Sequence, residues 1–225
     1  DPRSGDVLAM VSTPAFEIDR FTGTIDRAAW VRVVQDPAHP LLNRTIQSQY
    51  APGSVFKIVV AAAGLQAGTL APTDRTHCTG EFHLGAWTFL DWKKEGHGTV
   101  DLYRAVVQSC NVFFYQLMLK VGLDEWSAMG KRFGFGSQTK VDITEENSGL
   151  MPDRNYYDRI HGKGKWTQGY LISLGIGQGE VGVTPLQMAN YAAMLANKGK
   201  YHQPHAVSAI VNKQTKVVQK PKVEE

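Results

Sequence analysis

Weak alternation of apolar and polar residues over "GDVLAMVSTP", starting from a Gly-Asp turn, predicts a strand that ends at Pro14. "DRAAWVRVVQD" has the spacing of a short helix, and "DPAHPLLNRT" reads as a proline-punctuated connector. From about Ser54 to Ala67 the chain is apolar nearly all round, which predicts a helix buried on most of its surface. Pro52 and Gly53 lead into it and Gly68 suits its C-terminal cap. Residues 72 to 99 have no regular period and are expected to be irregular. "TVDLYRAVVQSCNVFFYQLMLKVG" then shows helical periodicity twice, interrupted around Ser109–Asn111, with Gly122 as a stop. "LDEWSAMGKRFGFG" predicts a further helix. "WTQGYLISLGIGQGEVGV" predicts a strand and a tight glycine turn, followed by a long helix from Thr184-Pro185. Strands at both ends of a helical middle indicate an α+β fold, with no internal repeat.

Within the apolar helix sits one charge, Lys57, three residues after Ser54. No other charge occurs between Arg44 and Asp74. Positions i and i+3 share a helix face, so a serine hydroxyl and a lysine amine there can come within hydrogen-bond reach. An ammonium among apolar side chains has its charged form disfavoured, and the resulting free amine can take a proton from a serine nucleophile. The competing reading is a helix-capping serine and a snorkelling lysine. Ser109 and Asn111, two apart in the break between helical segments, can face one way while Cys110 faces the other. There a hydroxyl can relay a proton and an amide can hold a carbonyl or N–H, although both residue types also favour caps.

Composition narrows the field. A 225-residue chain is long enough for a substantial core, 43% hydrophobic and 20% charged residues are ordinary for a globular protein, and a net charge of +3 with scattered cations leaves no footprint for nucleic acid. No run of about 18 apolar residues is present to span a membrane. The opening "DPRSGDVLAM" and the closing "KQTKVVQKPKVEE" read as interior stretches of a longer protein. Cys78 and Cys110 are open to pairing, metal binding or burial as thiols.

S-x-x-K followed by S-x-N is a known active-site set of penicillin-binding proteins and class A β-lactamases. The chain resembles the class B penicillin-binding proteins, peptidoglycan DD-transpeptidases, beyond these motifs. "SGDVLAMVSTPAFEID" is similar to the family's opening strand, "LLNRTIQSQYAPGSVFK" to its approach to the nucleophile, and "SLGIGQGEVGVTPLQMANYAAMLANKG" to its strand-turn-helix. "DWKKEGHG" and "SGLMPDRNYY" narrow the likeness to the penicillin-binding protein 2 type, which serves side-wall elongation. The resemblance covers roughly residues 5 to 205.

It implies a penicillin-binding protein/β-lactamase-like transpeptidase fold, an antiparallel sheet flanked by helices and truncated before its last strands. The expected organisation is one partial domain: residues 1–40 as opening strand and connector, 41–205 as catalytic core, and 206–225 as the start of a terminal segment. Ser54 would attack the D-Ala-D-Ala carbonyl of a stem peptide, Lys57 would act as base, Ser109 would pass a proton to the departing amine, and Asn111 would bind the peptide amide. β-Lactams would acylate Ser54. Cys78, Asp91, His97 and Cys110 would close one structural zinc site, with no cofactor needed for catalysis. His77 and His83 compete as ligands, and a Cys78–Cys110 disulfide is the rival arrangement. Expected partners are stem peptides, β-lactams and the elongation machinery with its glycosyltransferase, at the periplasmic face of the inner membrane.

The family's third motif, K-T/S-G, does not occur in these 225 residues. By resemblance it lies further along, so this stretch alone is expected to be a poor or inactive enzyme. Rival functions on the same fold are a β-lactam sensor and a hydrolase, either DD-carboxypeptidase or β-lactamase. "GIGQG" reads as a tight turn with close backbone approach, because no P-loop lysine follows it.

Overall fold

A computed structural model describes residues 1–23 and 26–219. The last six residues of the terminal segment lie outside that range. The chain divides into two compact units, each discontinuous in sequence: residues 1–50, 138–148 and 184–225 in one, 51–137 and 149–183 in the other.

The first unit contains helix α1 (Arg27–Gln35), which starts where the Asp26 carboxylate accepts from the Ala28 N–H. It also contains helix α6 (Pro185–Ala196). The Thr184 hydroxyl accepts from the Gln187 N–H and the Gln187 side chain accepts from the Thr184 N–H, a reciprocal cap with proline at the first turn. Ile46, Val141 and Leu186 form a small buried cluster, with Val7, Met10 and Ile143 packed on it. The strand expected at 5–14 makes only an isolated parallel bridge between Asp6 and His205. Weak alternation shapes an extended segment, but a ladder needs a partner along its length.

The second unit carries both sequence motifs. A 3₁₀ turn (Gly53–Phe56) runs into helix α2 (Lys57–Gln66), so the expected single helix begins more tightly wound than predicted. Gly68 follows its end at φ +69°, as a C-terminal cap requires. Helices α3 (Leu102–Val107) and α4 (Asn111–Arg132) flank the predicted interruption, and α4 is broken at Gly122 where a stop was expected. Fully buried Phe56, Val59 and Val60 of the first pair join Phe114, Met118 and Trp126 of α4 in the core. Phe56 packs edge-on to Trp126 and against Phe135.

Two local expectations fail, and one helix was unforeseen. Residues 72–99 are not irregular: they hold β1 (Thr76–Cys78), β2 (Glu81–Leu84), β3 (Trp87–Leu90) and β4 (Gly98–Val100) as two antiparallel pairs, β1 with β4 and β2 with β3. Strands of three or four residues are too short to show a period. "YLISLGI" is two 3₁₀ turns (Gln168–Leu171 and Ser173–Ile176) rather than a strand, since a short apolar run does not distinguish extended from helical burial. Helix α5 (Arg154–His161) was not anticipated, although Asp153 caps it by accepting from the Tyr156 N–H. Among the described residues no helix is long and apolar enough to cross a membrane.

Candidate active site

Lys57 opens α2, where its side chain is almost wholly buried, 2% exposed. Its three ammonium donors are all used: Nζ donates to Ser109 O at 2.7 Å, Ser109 Oγ at 2.9 Å and Asn111 Oδ1 at 2.7 Å. Burial, opposed by the Asp91 carboxylate and by Cys110, pushes the amine down to about 8 from 10.5. Lys57 of the first motif and Ser109 and Asn111 of the second therefore meet at one amine. Ser54 is exposed in the preceding 3₁₀ turn. The hydrogen bond expected between its hydroxyl and Lys57 is not among those the described residues make.

The way Ser109 reaches Lys57 follows from the end of α3. The Cys110 N–H bonds Ala105 O at 2.9 Å and the Ser109 N–H bonds Val106 O at 3.1 Å, the two bonds of a Schellman cap. The residue in the left-handed position of that cap is ordinarily glycine, yet here it is Ser109 at φ +53°. A side chain there costs about 1–2 kcal/mol relative to ordinary backbone. In exchange, both the carbonyl and the hydroxyl of one residue face the same ammonium. Cys110 is then the N-cap of α4, its sulfur accepting from the Phe113 N–H. Asn111, the first residue of that helix, comes into reach of Lys57.

Behind this edge lies a closed polar cluster. Cys78, Asp91, His97 and Cys110 are all buried, and one ligand atom from each lies within 4.8 Å of the others. Asp91 Oδ2 sits 3.5 Å from each sulfur. His97 Nδ1 is 3.6 Å from Cys78 Sγ and 3.7 Å from Asp91 Oδ2. Metal–ligand bonds of about 2.0–2.3 Å in a tetrahedron place neighbouring ligands about 3.3–3.8 Å apart, so these edges fit a zinc-sized cation. Both cysteines are free thiols and no disulfide joins them. His77 and His83 take no part: His77 contacts Thr99 and His83 pairs with Glu81 at the surface. Burial alone would raise the Asp91 carboxyl, but the Val112 and Lys93 amides with the Cys110 thiol hold it below its usual range. Burial pushes the Cys110 thiol up. The cluster thus binds the loop before β4 to the start of α4, through Asp91 Oδ2 and the Val112 N–H at 3.1 Å.

Two further residues brace this edge without a signal in either motif. The Trp92 indole N–H donates to Gln108 O at 3.1 Å, one residue before Ser109. The Tyr115 hydroxyl donates to Leu90 O at 3.2 Å. Tyr115 is detectable in retrospect, being one helical turn from Asn111 on the same face; Trp92 falls inside the "DWKKEGHG" stretch, which gave no hint of its bond to Gln108.

The penicillin binding protein transpeptidase domain model matches residues 1–225. The chain belongs to the penicillin-binding protein transpeptidase family. It is similar to the peptidoglycan D,D-transpeptidase MrdA of Acinetobacter baumannii, 38% identical over 93% of this chain and 31% of that protein. The MrdA of Haemophilus influenzae is 39% identical over 93% of this chain and 32% of that protein. This chain therefore spans about one third of the length of these curated relatives. Among solved structures, Pseudomonas aeruginosa penicillin-binding protein 2 superposes with a TM-score of 0.87 at 37% identity, covering 98% of this chain and 47% of that one. Penicillin-binding protein A of M. tuberculosis, determined as its penicillin G acyl-enzyme complex, superposes at 0.82 with 29% identity, over all of this chain and 51% of that one.

Ser109→Ala and Ser109→Gly both delete the hydroxyl, but only glycine is at ease in the left-handed position. Urea unfolding should find Ser109→Gly the more stable of the two by about 1 kcal/mol or more. Greater stability of the alanine variant would contradict the strain.

Proposed function

We propose that the protein containing this chain is a serine DD-transpeptidase that cross-links peptidoglycan stem peptides during cell elongation. The observation that carries this reading is the buried Lys57 amine, bonded to Ser109 and Asn111 and one turn from Ser54, in a chain of the transpeptidase family. In its free-amine form Lys57 takes the proton of Ser54 Oγ as that oxygen bonds the carbonyl carbon of the penultimate D-alanine. The peptide C–N bond breaks, and Ser109 Oγ, already bonded to Lys57 Nζ, passes the proton to the departing D-alanine amine. The ester left on Ser54 is then attacked by an amine of a neighbouring stem peptide, which forms the cross-link and frees the serine. The Asn111 side chain holds the substrate amide. A β-lactam follows the first half of this course and stops as an ester on Ser54, consistent with the penicillin G acyl-enzyme of the M. tuberculosis relative.

The same reading assigns Cys78, Asp91, His97 and Cys110 to one zinc ion. Its contribution is structural: it ties the loop of Asp91 and His97 to the turn presenting Ser109 and Asn111, and takes no part in the chemistry. Partners follow from relatives. One neighbour is a penicillin-binding protein 2 from Helicobacter pylori in complex with MreC, and another belongs to a peptidoglycan synthase complex that couples polymerization to crosslinking. An elongation assembly with a glycosyltransferase, at the periplasmic face of the inner membrane, is the corresponding setting here. The K-T/S-G motif, absent from these residues, would supply the remaining edge of the site in the longer protein. A β-lactam sensor or a hydrolase would share the acylation step and differ in the fate of the ester.

A fluorescent penicillin should label the full-length protein at Ser54. Ser54→Ala should abolish the label and Lys57→Met should slow it by about 10²–10⁴-fold, the usual size of a lost general base. Labelling that survives Ser54→Ala refutes the nucleophile, and rapid spontaneous loss of label indicates a hydrolase. Elemental analysis should find one zinc per chain, and Cys78→Ser or a strong chelator should lower both zinc content and melting temperature. A zinc-free protein with full thermal stability would remove the metal from the account.

A further inference from the structure

The "GIGQG" stretch lies outside both catalytic motifs, yet its backbone touches each of the elements that carry them. Gly177 sits at φ +69°, and its carbonyl accepts from the Gly53 N–H at 2.8 Å. Gly53, at φ +65°, immediately precedes Ser54. A Cβ on Gly177 would lie 2.2 Å from Gly53 O, 2.9 Å from Gly53 C and 2.8 Å from Phe56 Cβ. The first two are backbone and the third belongs to a fully buried ring, so none can step aside. Two residues earlier, a Cβ on Gly175 would lie 2.7 Å from Phe114 O and 2.9 Å from Met118 Cβ, both on α4. The segment is therefore a wedge of bare backbone between the turn bearing Ser54 and the helix that begins with Asn111.

The wedge is itself pinned. Gly177 N–H bonds Leu174 O and Gln178 N–H bonds Ser173 O, each at 3.0 Å. From the other side, Glu180 accepts from the Tyr157 hydroxyl at 2.7 Å, and the Tyr157 ring is completely buried. Lys57 is fixed by its three side-chain bonds, whereas the Ser54 hydroxyl makes none to Lys57, Ser109 or Asn111 among the described residues. The placement of Ser54 against that amine thus depends on its backbone, held on one side by the Lys57 N–H bonding Ser54 O within the turn and on the other by the Gly53 N–H bonding Gly177 O.

We propose that Gly177 is a positioning residue for acylation, setting Ser54 against Lys57 through the Gly53 amide, with Tyr157 and Glu180 as the outer anchor of the turn. This rests on the reading of Ser54 as nucleophile. A misplacement of about 1 Å at a reacting atom can cost about 10²-fold in rate, and displacement of the Gly53 carbonyl by a methyl group is of that order.

The test uses the full-length protein and a fluorescent penicillin, separating the limiting acylation rate from the dissociation constant of the preceding non-covalent complex. Gly177→Ala should lower the limiting rate by about 10²-fold, leaving the dissociation constant and the pH midpoint of acylation where they were. Tyr157→Phe, a milder change that releases Glu180 without opening a cavity, should lower the same rate by a smaller factor and speed deuterium exchange at the Gly53 amide. A purely structural role would lower the melting temperature of either variant and leave the limiting rate untouched below it. A folded Gly177→Ala that acylates at the wild-type rate overturns the inference. If that variant does not fold, Tyr157→Phe with wild-type rate and exchange overturns it equally. Failure of the wild-type protein to label at all is a different result, which removes the nucleophile and this inference with it.

Discussion

The constraint on which the site depends is the burial of one ammonium. Lys57 is out of water at the start of an apolar helix, where a cation survives only if every donor is met by protein. Three acceptors are therefore required within reach of a single nitrogen. They come from two residues of the α3–α4 junction, and the demand accounts for the otherwise costly features found there. Ser109 stands where a cap would normally have glycine, and the next helix starts at once, so that Asn111 falls on the same side. Burial and the charges of Asp91 and Cys110 pull against one another at Lys57. Burial prevails, leaving the amine near 8, close enough to neutrality to release its proton.

A junction this strained needs support, and the support is assembled from outside it. The four polar groups around Asp91 grip the first turn of α4 through the Val112 amide and the Cys110 sulfur. Trp92 holds the residue before Ser109, and Tyr115 ties α4 to the end of β3. The zinc proposed for this cluster would stiffen the edge of the site that presents Ser109 and Asn111.

Much of this was legible in the chain. The isolated Lys57 in an apolar run, the serine three residues before it and the break at Ser109–Asn111 each carried a local physical signal, and the structure brings Lys57, Ser109 and Asn111 together. Helices with clear caps, such as that from Thr184-Pro185, were also readable. The Gly177 turn showed its close backbone approach in its glycines, though not its partner. What remained hidden was non-local or too short to have a period. The four strands between Thr76 and Val100 span three or four residues each, and the left-handed backbone of Ser109 follows from its distant acceptor role. The missing bond between Ser54 and Lys57 was equally invisible, because the acceptors that take the Lys57 donors, on Ser109 and Asn111, lie far along the chain.

The claim that Lys57 is a base made available by burial is tested most directly by the pH dependence of Ser54 acylation in the full-length protein. The rate of β-lactam acylation, followed from about pH 6 to about 10, should rise tenfold per unit and level off through a single ionisation near 8. Lys57→Met should remove that step. A rate that ignores pH across this range, or that keeps rising toward 10.5 as for an ordinary lysine, would contradict the account.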